Sequence, residues 1–280
     1  MNPKTLPIAP EEYQLLNEFI SERFGVHFPE GKQSVLATRL RPRLQALGLS
    51  RYMDYYLMLQ YRLDSEQQHL TRLVTNNETY FFRETSQFEA LLEEAAERLL
   101  AEATVSGTLR LLCAGCSSGE EPYTLNIFAK TRPLALGGAR LSIDAFDIDA
   151  RRLATAVEGI YGRSALRATS EEQIHRFFAR EGVDQFSLRD RFREDVSFSL
   201  GNILEPRSYR TGAPYDVLFC RNVFIYFAER ALRRALKSFA SVLRPGGLLF
   251  LGHAESIIGI SDDFETVRLA RCIAYQRKAR

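Results

Sequence analysis

The chain has 280 residues with 37 basic and 35 acidic side chains, so its formal net charge is only +2. A chain of this length can form one large domain or two smaller ones, each with a full hydrophobic core. The balanced charge gives no general electrostatic argument for nucleic-acid binding. No apolar run approaches the roughly 20 residues of a membrane span, and no signal pattern opens the chain, so we expect a cytoplasmic protein without a membrane-inserted segment.

The N-terminal part of the chain has the spacing of amphipathic helices. Residues 12–24, 35–47 and 52–63 each place apolar side chains three or four positions apart. Glycines separate these segments from one another. We therefore expect an all-helical domain over residues 1–75.

A one-signed stretch of charge lies within this helical part. Between Lys32 and Met53 there are five basic side chains and no acidic one. Arg39 and Arg43 are four residues apart and share one face of a helix, while Pro42 predicts a helix start or a kink between them. Such a face is often only solvated surface. Our interpretation is that Lys32, Arg39 and Arg43 dock an acidic protein partner.

A polar and aromatic segment, residues 75–84, links the helical part to the remainder and ends near Arg83. Its Phe-Phe-Arg run is ordinarily core packing followed by one charge that reaches solvent. The segment can also fold over a ligand cleft, which would let Arg83 bind a carboxylate through its fork of donors.

The apolar run at residues 109–114 leads into a small-residue turn, and Glu120, Glu121 and Pro122 follow where a helix should begin. This strand, loop and helix arrangement holds nucleotide-like ligands in α/β sheets. Phosphate sites usually lack carboxylates there, because a helix N-terminus favours anions. The acidic pair favours a cationic or zwitterionic ligand such as S-adenosylmethionine. The alternative is that both residues only favour the first helical turn.

From residue 109 onward, strands alternate with helices, which is typical of a doubly wound parallel sheet. The strands are expected at residues 109–114, 141–146, 196–200, 217–220, 248–252 and 272–276. The polar segment 178–195 interrupts this alternation and is predicted to form a small β insertion. We expect a linker over residues 76–105 and the α/β domain over residues 106–280.

Polar residues follow two of the predicted strands. Asp147 ends the second strand, where a carboxylate can accept hydrogen bonds from both ribose hydroxyls of a nucleoside. Its alternative role is the N-cap of the helix that begins near Ala150, a role that Asp149 could fill equally well. Asn202 follows the third strand, where its amide could pair with an adenine ring.

Several blocks of residues occur along the chain: Arg-Leu-x-x-Arg, Thr-Asn-x-x-Thr-x-Phe-Phe-Arg, Gly-Glu-Glu-Pro-Tyr, Asp-Ile-Asp, Cys-Arg-Asn-Val-x-Ile-Tyr-Phe and Leu-x-Pro-Gly-Gly. In this order they closely resemble the chemotaxis receptor methyltransferases of the CheR family. Members of that family transfer a methyl group from S-adenosylmethionine to glutamate side chains of bacterial chemoreceptors, leaving S-adenosylhomocysteine.

The resemblance implies a class I S-adenosylmethionine-dependent methyltransferase fold, with a Rossmann-like doubly wound sheet and a small β subdomain insert. It implies that the helical domain contacts the cytoplasmic helical region of methyl-accepting chemoreceptors. The residues implied to line the cofactor are Asn77, Thr79, Arg83, Glu121, Asp147, Asn202, Ile203, Arg221 and Asn222. Arg83 and Tyr226 are implied to face the methyl-transfer site. The family's Gly-His-Ser-Glu block reads Gly-His-Ala-Glu here, with Ala254 in place of the serine.

The implied chemistry agrees with these residue types. A glutamate carboxylate, with a solution pKa near 4.3, is ionised at neutral pH and needs no general base to attack a sulfonium methyl group. Catalysis then depends on positioning. We expect Arg83 to anchor a carboxylate and the Tyr226 hydroxyl to orient the methyl group or the substrate.

The β insertion also bears on how a receptor is found. Family members that grip a pentapeptide at the receptor's C-terminal tail carry a longer, Gly-containing loop there, and residues 180–186 look shorter than that loop. Strand addition needs an open edge and side-chain pockets. We therefore expect an enzyme that is independent of the pentapeptide.

The sequence also has features of two other chemistries. Residues 115–119 match G-x-S-x-G, and Ser117, Asp216 and His253 occur in the order of an α/β-hydrolase triad, so a serine esterase is the alternative function. A nucleophile elbow follows several earlier strands, however, whereas the chain before residue 109 reads as helix. The C-x-x-C of Cys113 and Cys116 lacks histidines at ligand spacing, so we expect no metal.

Overall fold

The computed structural model describes residues 7–103, 105, 107–132, 136–209 and 212–279. It divides into two compact units. One unit is Met1–Asn76 together with Tyr226–Leu232, and the other is Asn77–Ile225 together with Arg233–Arg280. Within the described ranges, no helix combines the length and the apolar character that crossing a membrane requires.

The helical unit contains α1 (Pro10–Phe24), α2 (Gln33–Ala46) and α3 (Tyr52–Val74). Their apolar faces pack into one core, which includes the fully buried Leu16, Leu36, Leu40, Tyr52, Tyr55 and Leu59. Helix α2 runs through Pro42 instead of starting there. Helix α3 extends past residue 63, with non-helical backbone angles at Arg62.

The second unit is built around two sheets. Its helices are α4 (Ser86–Ala90), α5 (Ala96–Ala101), α6 (Glu120–Thr131), α7 (Ala150–Glu158) and α8 (Glu171–Phe177), and a π-helical turn, Leu91–Ala95, joins α4 to α5. Helix α9 (Glu229–Val242) begins in the helical unit and ends in the second unit. Its strands are β1 (Thr108–Ala114), β2 (Arg140–Asp147), β3 (Ile160–Gly162), β4 (Phe178–Arg180), β5 (Gln185–Leu188), β6 (Val196–Leu200), β7 (Tyr215–Cys220), β8 (Leu243–Leu251), β9 (Phe264–Arg268) and β10 (Ile273–Arg277).

The large sheet has the strand order β6-β2-β1-β7-β8-β10-β9. Strands β6, β2, β1, β7 and β8 are mutually parallel, whereas β10 runs antiparallel to both of its neighbours. Every residue of β7 is buried, as expected for a central parallel strand covered on both faces. The carboxyl ends of β1, β2, β6, β7 and β8 therefore meet at one edge, and the loops that leave them form the candidate site.

The small sheet has the order β3-β5-β4 and is antiparallel. Its first strand, β3, lies upstream of the predicted segment 178–195, because a three-residue strand gives almost no periodic signal. The buried ring of Phe81 packs edge-to-face against Tyr161 and Phe178, with centroid distances of 4.8 and 4.9 Å. These contacts anchor the segment that carries Arg83 to the small sheet.

Two predicted strand boundaries need correction. Strand β8 begins at Leu243, ahead of the predicted residue 248, and takes the Arg-Pro-Gly-Gly turn into its first half. The predicted strand at residues 272–276 does not close the sheet, because β9 pairs with β10 and occupies the edge.

Candidate functional site

The loop after β1 is held in a conformation that few residues adopt. Gly115 has a φ of +74°, and a Cβ there would lie 2.8 Å from Cγ2 of Val223. Ser117 has a φ of +49° although it is not glycine. Its backbone N–H donates to Oδ2 of Asp147 at 2.8 Å. The carboxylate at the end of β2 therefore stabilises the strained turn at the end of β1.

Asp147 and Asp149 have separate roles. Asp149 is the N-cap of α7, since its side chain accepts hydrogen bonds from the backbone N–H groups of Arg151 and Arg152. Asp147 is only 6% exposed, and its Oδ1 accepts from the backbone N–H of Asp149 at 2.9 Å. Burial raises the pKa of Asp147, although backbone hydrogen bonds act against that rise. The capping role therefore belongs to Asp149, and Asp147 faces the site.

The segment that leads to Arg83 is tied to this loop. Asn77 donates from Nδ2 to Oδ2 of Asp149 at 3.1 Å, and its carbonyl oxygen accepts from the Ser117 hydroxyl at 3.3 Å. Thr79 is half-buried two residues further on. Asn77 is thus placed beside the predicted ribose site through two contacts.

The residues after β6 are placed beside Asp147. The backbone N–H of Gly201 donates to the Asp147 carbonyl at 3.0 Å. Asn202 is buried, and its Oδ1 accepts from the backbone N–H of Leu204 at 3.0 Å. Ile203 is also buried. Asn202 and Ile203 therefore share the sheet edge with Asp147, as the topology predicts.

Arg221 follows β7 and joins two carboxylates. It is 7% exposed, and its guanidinium lies 3.2 Å from Oε2 of Glu121 and 3.3 Å from Oε2 of Glu84. It also donates to the backbone carbonyl of Arg83 at 2.8 Å. His253 contacts the same Oε2 of Glu84 through Nδ1 at 2.8 Å. The four side chains form one network of salt bridges and hydrogen bonds at the carboxyl ends of β7 and β8.

The pKa values of the two carboxylates in this network are shifted in opposite directions. Burial raises the pKa of Glu121, and the nearby Arg221 and Arg83 reduce that rise. Burial also pushes the pKa of Glu84 upward, but Arg221 and His253 outweigh it and leave that pKa below its ordinary value. The network therefore favours an ionised Glu84, whereas Glu121 would be stabilised in its ionised form by a further cation.

Arg83 has donors that are not fully used. Its guanidinium stacks on Tyr80 at 5.6 Å from the ring centroid and donates to the Glu78 carbonyl at 3.2 Å. Its Nε is buried and makes no hydrogen bond within the part of the chain that the structure describes. A buried N–H of this kind would gain from an incoming acceptor.

Tyr226 ends the short 3-10 helix Phe224–Tyr226 and belongs to the helical unit. Its hydroxyl accepts a hydrogen bond from Nδ2 of Asn76 at 2.6 Å. Its carbonyl accepts from the backbone N–H of His27 at 2.7 Å. Tyr226 is therefore held within that unit by its backbone and by its hydroxyl.

Two of the three predicted docking cations have partners inside the helical unit. Arg39 donates to the carbonyl of Val74 at 3.0 Å, at the C-terminus of α3. Arg43 forms a two-pronged salt bridge with the buried Glu66, in which Nε lies 3.0 Å from Oε2. Lys32 is exposed. Arg39 and Arg43 thus stabilise the packing of α2 on α3, and docking stays a prediction for all three.

The esterase alternative is wrong, because its three residues do not assemble. Asp216 is fully buried near the amino end of β7, where it accepts from Nε of Arg244 at 2.7 Å. Ser117 follows the carboxyl end of β1, and His253 contacts Glu84.

The thiols of Cys113 and Cys116 are buried, which raises the pKa of each. Among the described residues, no cluster of three potential metal ligands occurs.

Sequence reasoning missed Glu84 and Glu255. Glu84 directly follows Arg83, and this position could have identified it as a candidate site residue. Its pairing with Arg221 could not be predicted, because Arg221 is far away in sequence. Glu255 lies in the Gly-His-Ala-Glu block and binds the backbone of the loop after β7. A side chain that binds backbone groups of a loop about 30 residues away leaves no periodic pattern in the sequence.

Comparison with known proteins gives matches over both units. The family model described as "CheR methyltransferase, SAM binding domain" matches residues 77–273, and "CheR methyltransferase, all-alpha domain" matches residues 11–75. Chemotaxis protein methyltransferase 2 of Vibrio cholerae is 30% identical over 271 residues, covering 96% of this chain and 94% of that protein. The chemotaxis protein methyltransferase of Salmonella typhimurium is 34% identical over 265 residues, covering 92% and 88%. That of Escherichia coli is 34% identical over 259 residues, covering 90% and 86%.

Proposed function

The chain belongs to the CheR methyltransferase family, with S-adenosylmethionine as its cofactor, and from this premise we propose that it methylates glutamate side chains of chemoreceptors. The products are glutamate methyl esters and S-adenosylhomocysteine. The observation that carries the proposal is the buried Nε of Arg83, which lies 4.0 Å from Oε1 of Glu84 and donates no hydrogen bond to any residue that the structure describes. It lies beside a network of arginine and carboxylate side chains.

The residues present fit this cofactor. Asp147 is a buried carboxylate whose hydrogen bonds, within the described residues, come from backbone N–H groups, which suits two ribose hydroxyl donors. Glu121 would accept a hydrogen bond from the amino group of the amino-acid tail, and Arg221 would bind the carboxylate of that tail. Arg83 would line the same site, with its Nε left for the carboxylate of the substrate. We assign Asn77, Thr79, Asn202, Ile203 and Asn222 to the same cofactor site.

The reaction makes few demands on acid–base groups. When bound, the cofactor supplies an electrophilic methyl group and leaves as S-adenosylhomocysteine. A receptor glutamate is already ionised at neutral pH, so the chain must hold and orient that carboxylate instead of deprotonating it. Arg83 anchors and neutralises carboxylate charge, and the Tyr226 hydroxyl, itself held by Asn76, orients the reacting groups.

The partner is the cytoplasmic helical region of methyl-accepting chemoreceptors, and the protein acts in the cytoplasm on that region. We assign residues 1–75 to receptor docking, 76–105 to the connecting segment and 106–280 to the methyltransferase domain, with the insertion inside it. Lys32 supplies an exposed positive charge to the docking surface, whereas Arg39 and Arg43 also stabilise the helical unit.

The short hairpin of the small sheet supports independence from a receptor tail. Only Glu181–Asp184 separates β4 from β5, and the backbone N–H of Glu181 donates to the Gln185 carbonyl at 2.9 Å. A closed hairpin of this length offers little room for side-chain pockets along an added strand. Without such capture, the gain in effective concentration from tethering is absent.

The test is methyl transfer from labelled S-adenosylmethionine to a purified receptor cytoplasmic fragment. The matched control is the same fragment with its methyl-accepting glutamates changed to glutamine. We expect base-labile label on the first fragment only, at equal rates with and without its C-terminal pentapeptide. Equal label on the control, or base-stable label, would contradict glutamate as the substrate. Micromolar binding of the free pentapeptide in calorimetry would contradict tail independence.

A further inference from the structure

The side chain of Glu255 binds the backbone of two different loops. Its Oε2 accepts from the N–H groups of Gly252 at 2.6 Å and Asn222 at 2.9 Å. Its Oε1 accepts from the N–H groups of Phe224 at 2.6 Å and Ile225 at 3.3 Å. One carboxylate thus joins the loop after β7 to the loop after β8 through four hydrogen bonds.

The loop after β7 adopts a conformation that needs such support. Asn222 has a φ of +59°, in the left-handed region that residues other than glycine seldom occupy. Strained backbone of this kind persists where surrounding contacts fix it. Successive N–H groups that converge on one point form an anion-binding concavity. Here the anion is the protein's own carboxylate.

The loop after β7 packs closely against glycines of two neighbouring turns. A Cβ on Gly252 would lie 2.8 Å from Nδ2 of Asn222, and a Cβ on Gly115 would lie 2.8 Å from Cγ2 of Val223. The loop therefore sits between the turns that follow β1 and β8. A displacement of its backbone would move Asn222 and disturb the turn that contains Ser117.

We propose that Glu255 is a positioning residue, which fixes the Asn222 loop in the conformation that receives S-adenosylmethionine. The proposal rests on the function assigned above only through the cofactor role of Arg221 and Asn222. Glu255 acts through the backbone of this loop and not on the reacting atoms. Its charge is essential to this role, because all four of its partners are donors and a carboxamide would point N–H groups at some of them.

The test compares Glu255→Gln with a carboxylate that has a purely structural setting. Asp216 accepts from the backbone N–H of Arg110 and from Nε of Arg244 near the amino end of β7, opposite the end that carries Asn222. Asp216→Asn therefore removes a buried charge from the same strand without touching the loop. Calorimetric titration with S-adenosylhomocysteine, at a temperature where circular dichroism shows each variant folded, measures the effect.

We expect Glu255→Gln to weaken S-adenosylhomocysteine binding about tenfold or more, a change of roughly 1.4 kcal/mol or greater, and to raise the KM for the cofactor. Asp216→Asn should lower the melting temperature and keep the affinity within about twofold of the parent. Glu255→Asp keeps the charge and should recover part of the lost affinity. If Glu255→Gln does not fold, the affinity of Glu255→Asp for S-adenosylhomocysteine is compared with that of the parent by the same criterion.

Parental affinity in folded Glu255→Gln, or an equal loss in Asp216→Asn, would overturn the proposal. The measurement uses no receptor. A parent protein that binds S-adenosylhomocysteine but leaves receptor glutamates unmethylated would therefore refute the proposed substrate while the role of Glu255 is still decided by the titrations.

Discussion

Replacing Glu120 with glutamine is expected to stabilise the protein at alkaline pH and to have little effect near pH 5. Glu120 is the first residue of α6, and its side chain is 3% exposed. Oε1 accepts from the Ser118 hydroxyl at 2.9 Å, whereas Oε2 is buried and makes no hydrogen bond within the described ranges. Glutamine can keep the Ser118 contact and carries no charge to bury.

The magnitude follows from the cost of ionising this group in the folded protein. Burial raises the pKa of Glu120 from 4.5 to about 7, although the helix backbone and the Ser118 hydroxyl act against it. That difference corresponds to about 3 kcal/mol. The folded state holds the proton more tightly than the unfolded state does, so stability is lost as the pH rises from 4.5 through 7. Above pH 7 the whole amount is lost.

The assay is urea unfolding followed by circular dichroism between pH 5 and 8.5, for the parent and Glu120→Gln. The difference in the free energy of unfolding should grow with pH and level off above about pH 7.5, by up to about 3 kcal/mol. Glu171→Gln is the control, since Glu171 also lies in the first turn of a helix but its side chain is 79% exposed. A difference for Glu120→Gln that does not change with pH would refute the reasoning.

Four further changes test the site, the helical unit and the docking surface. Asp147→Asn should weaken S-adenosylhomocysteine binding by about 1.5 to 3 kcal/mol in calorimetry, because ribose hydroxyls lose a charged acceptor, and unchanged affinity would contradict its role. Tyr226→Phe should lower kcat more than cofactor affinity, and a parental methylation rate would contradict a catalytic hydroxyl. Arg43→Glu should destabilise the helical unit by about 3 kcal/mol or more, because Glu66 would face a like charge. Lys32→Glu should leave the melting temperature unchanged and raise the receptor KM at low salt, an effect that equal kinetics would exclude.

The strands that could be predicted are those whose apolar residues form continuous or regular patterns. The prediction at residues 196–200 is confirmed in full, and β1 differs from its prediction only by beginning at Thr108. Strand β9 was missed because most of its residues are polar and exposed at the edge of the sheet. Strand β3 was missed because three residues are too few to show a period.

The positions of site residues were predictable where topology alone decides them. Asp147 is the last residue of β2, and Asn202 and Arg221 follow β6 and β7. These strands end at the same edge of the sheet, so the common location of the three residues follows from the strand order. The pairing of Arg43 with Glu66 could not be foreseen in the same way. A run of basic residues shows the sign of the charge, but the acidic partner lies 23 positions away on another helix.

The carboxylates at this edge of the sheet explain why it would select a cationic cofactor. Doubly wound sheets usually bind phosphates with free backbone N–H groups at this edge. Here Asp147 already occupies the N–H of Ser117, Asp149 occupies the first turn of α7, and Glu255 occupies the loop after β7. A phosphate would have to displace these internal anions and would also meet their charge. The fixed carboxylates instead favour hydroxyl, ammonium and sulfonium groups, so the same structural elements that build a phosphate site elsewhere specify S-adenosylmethionine here.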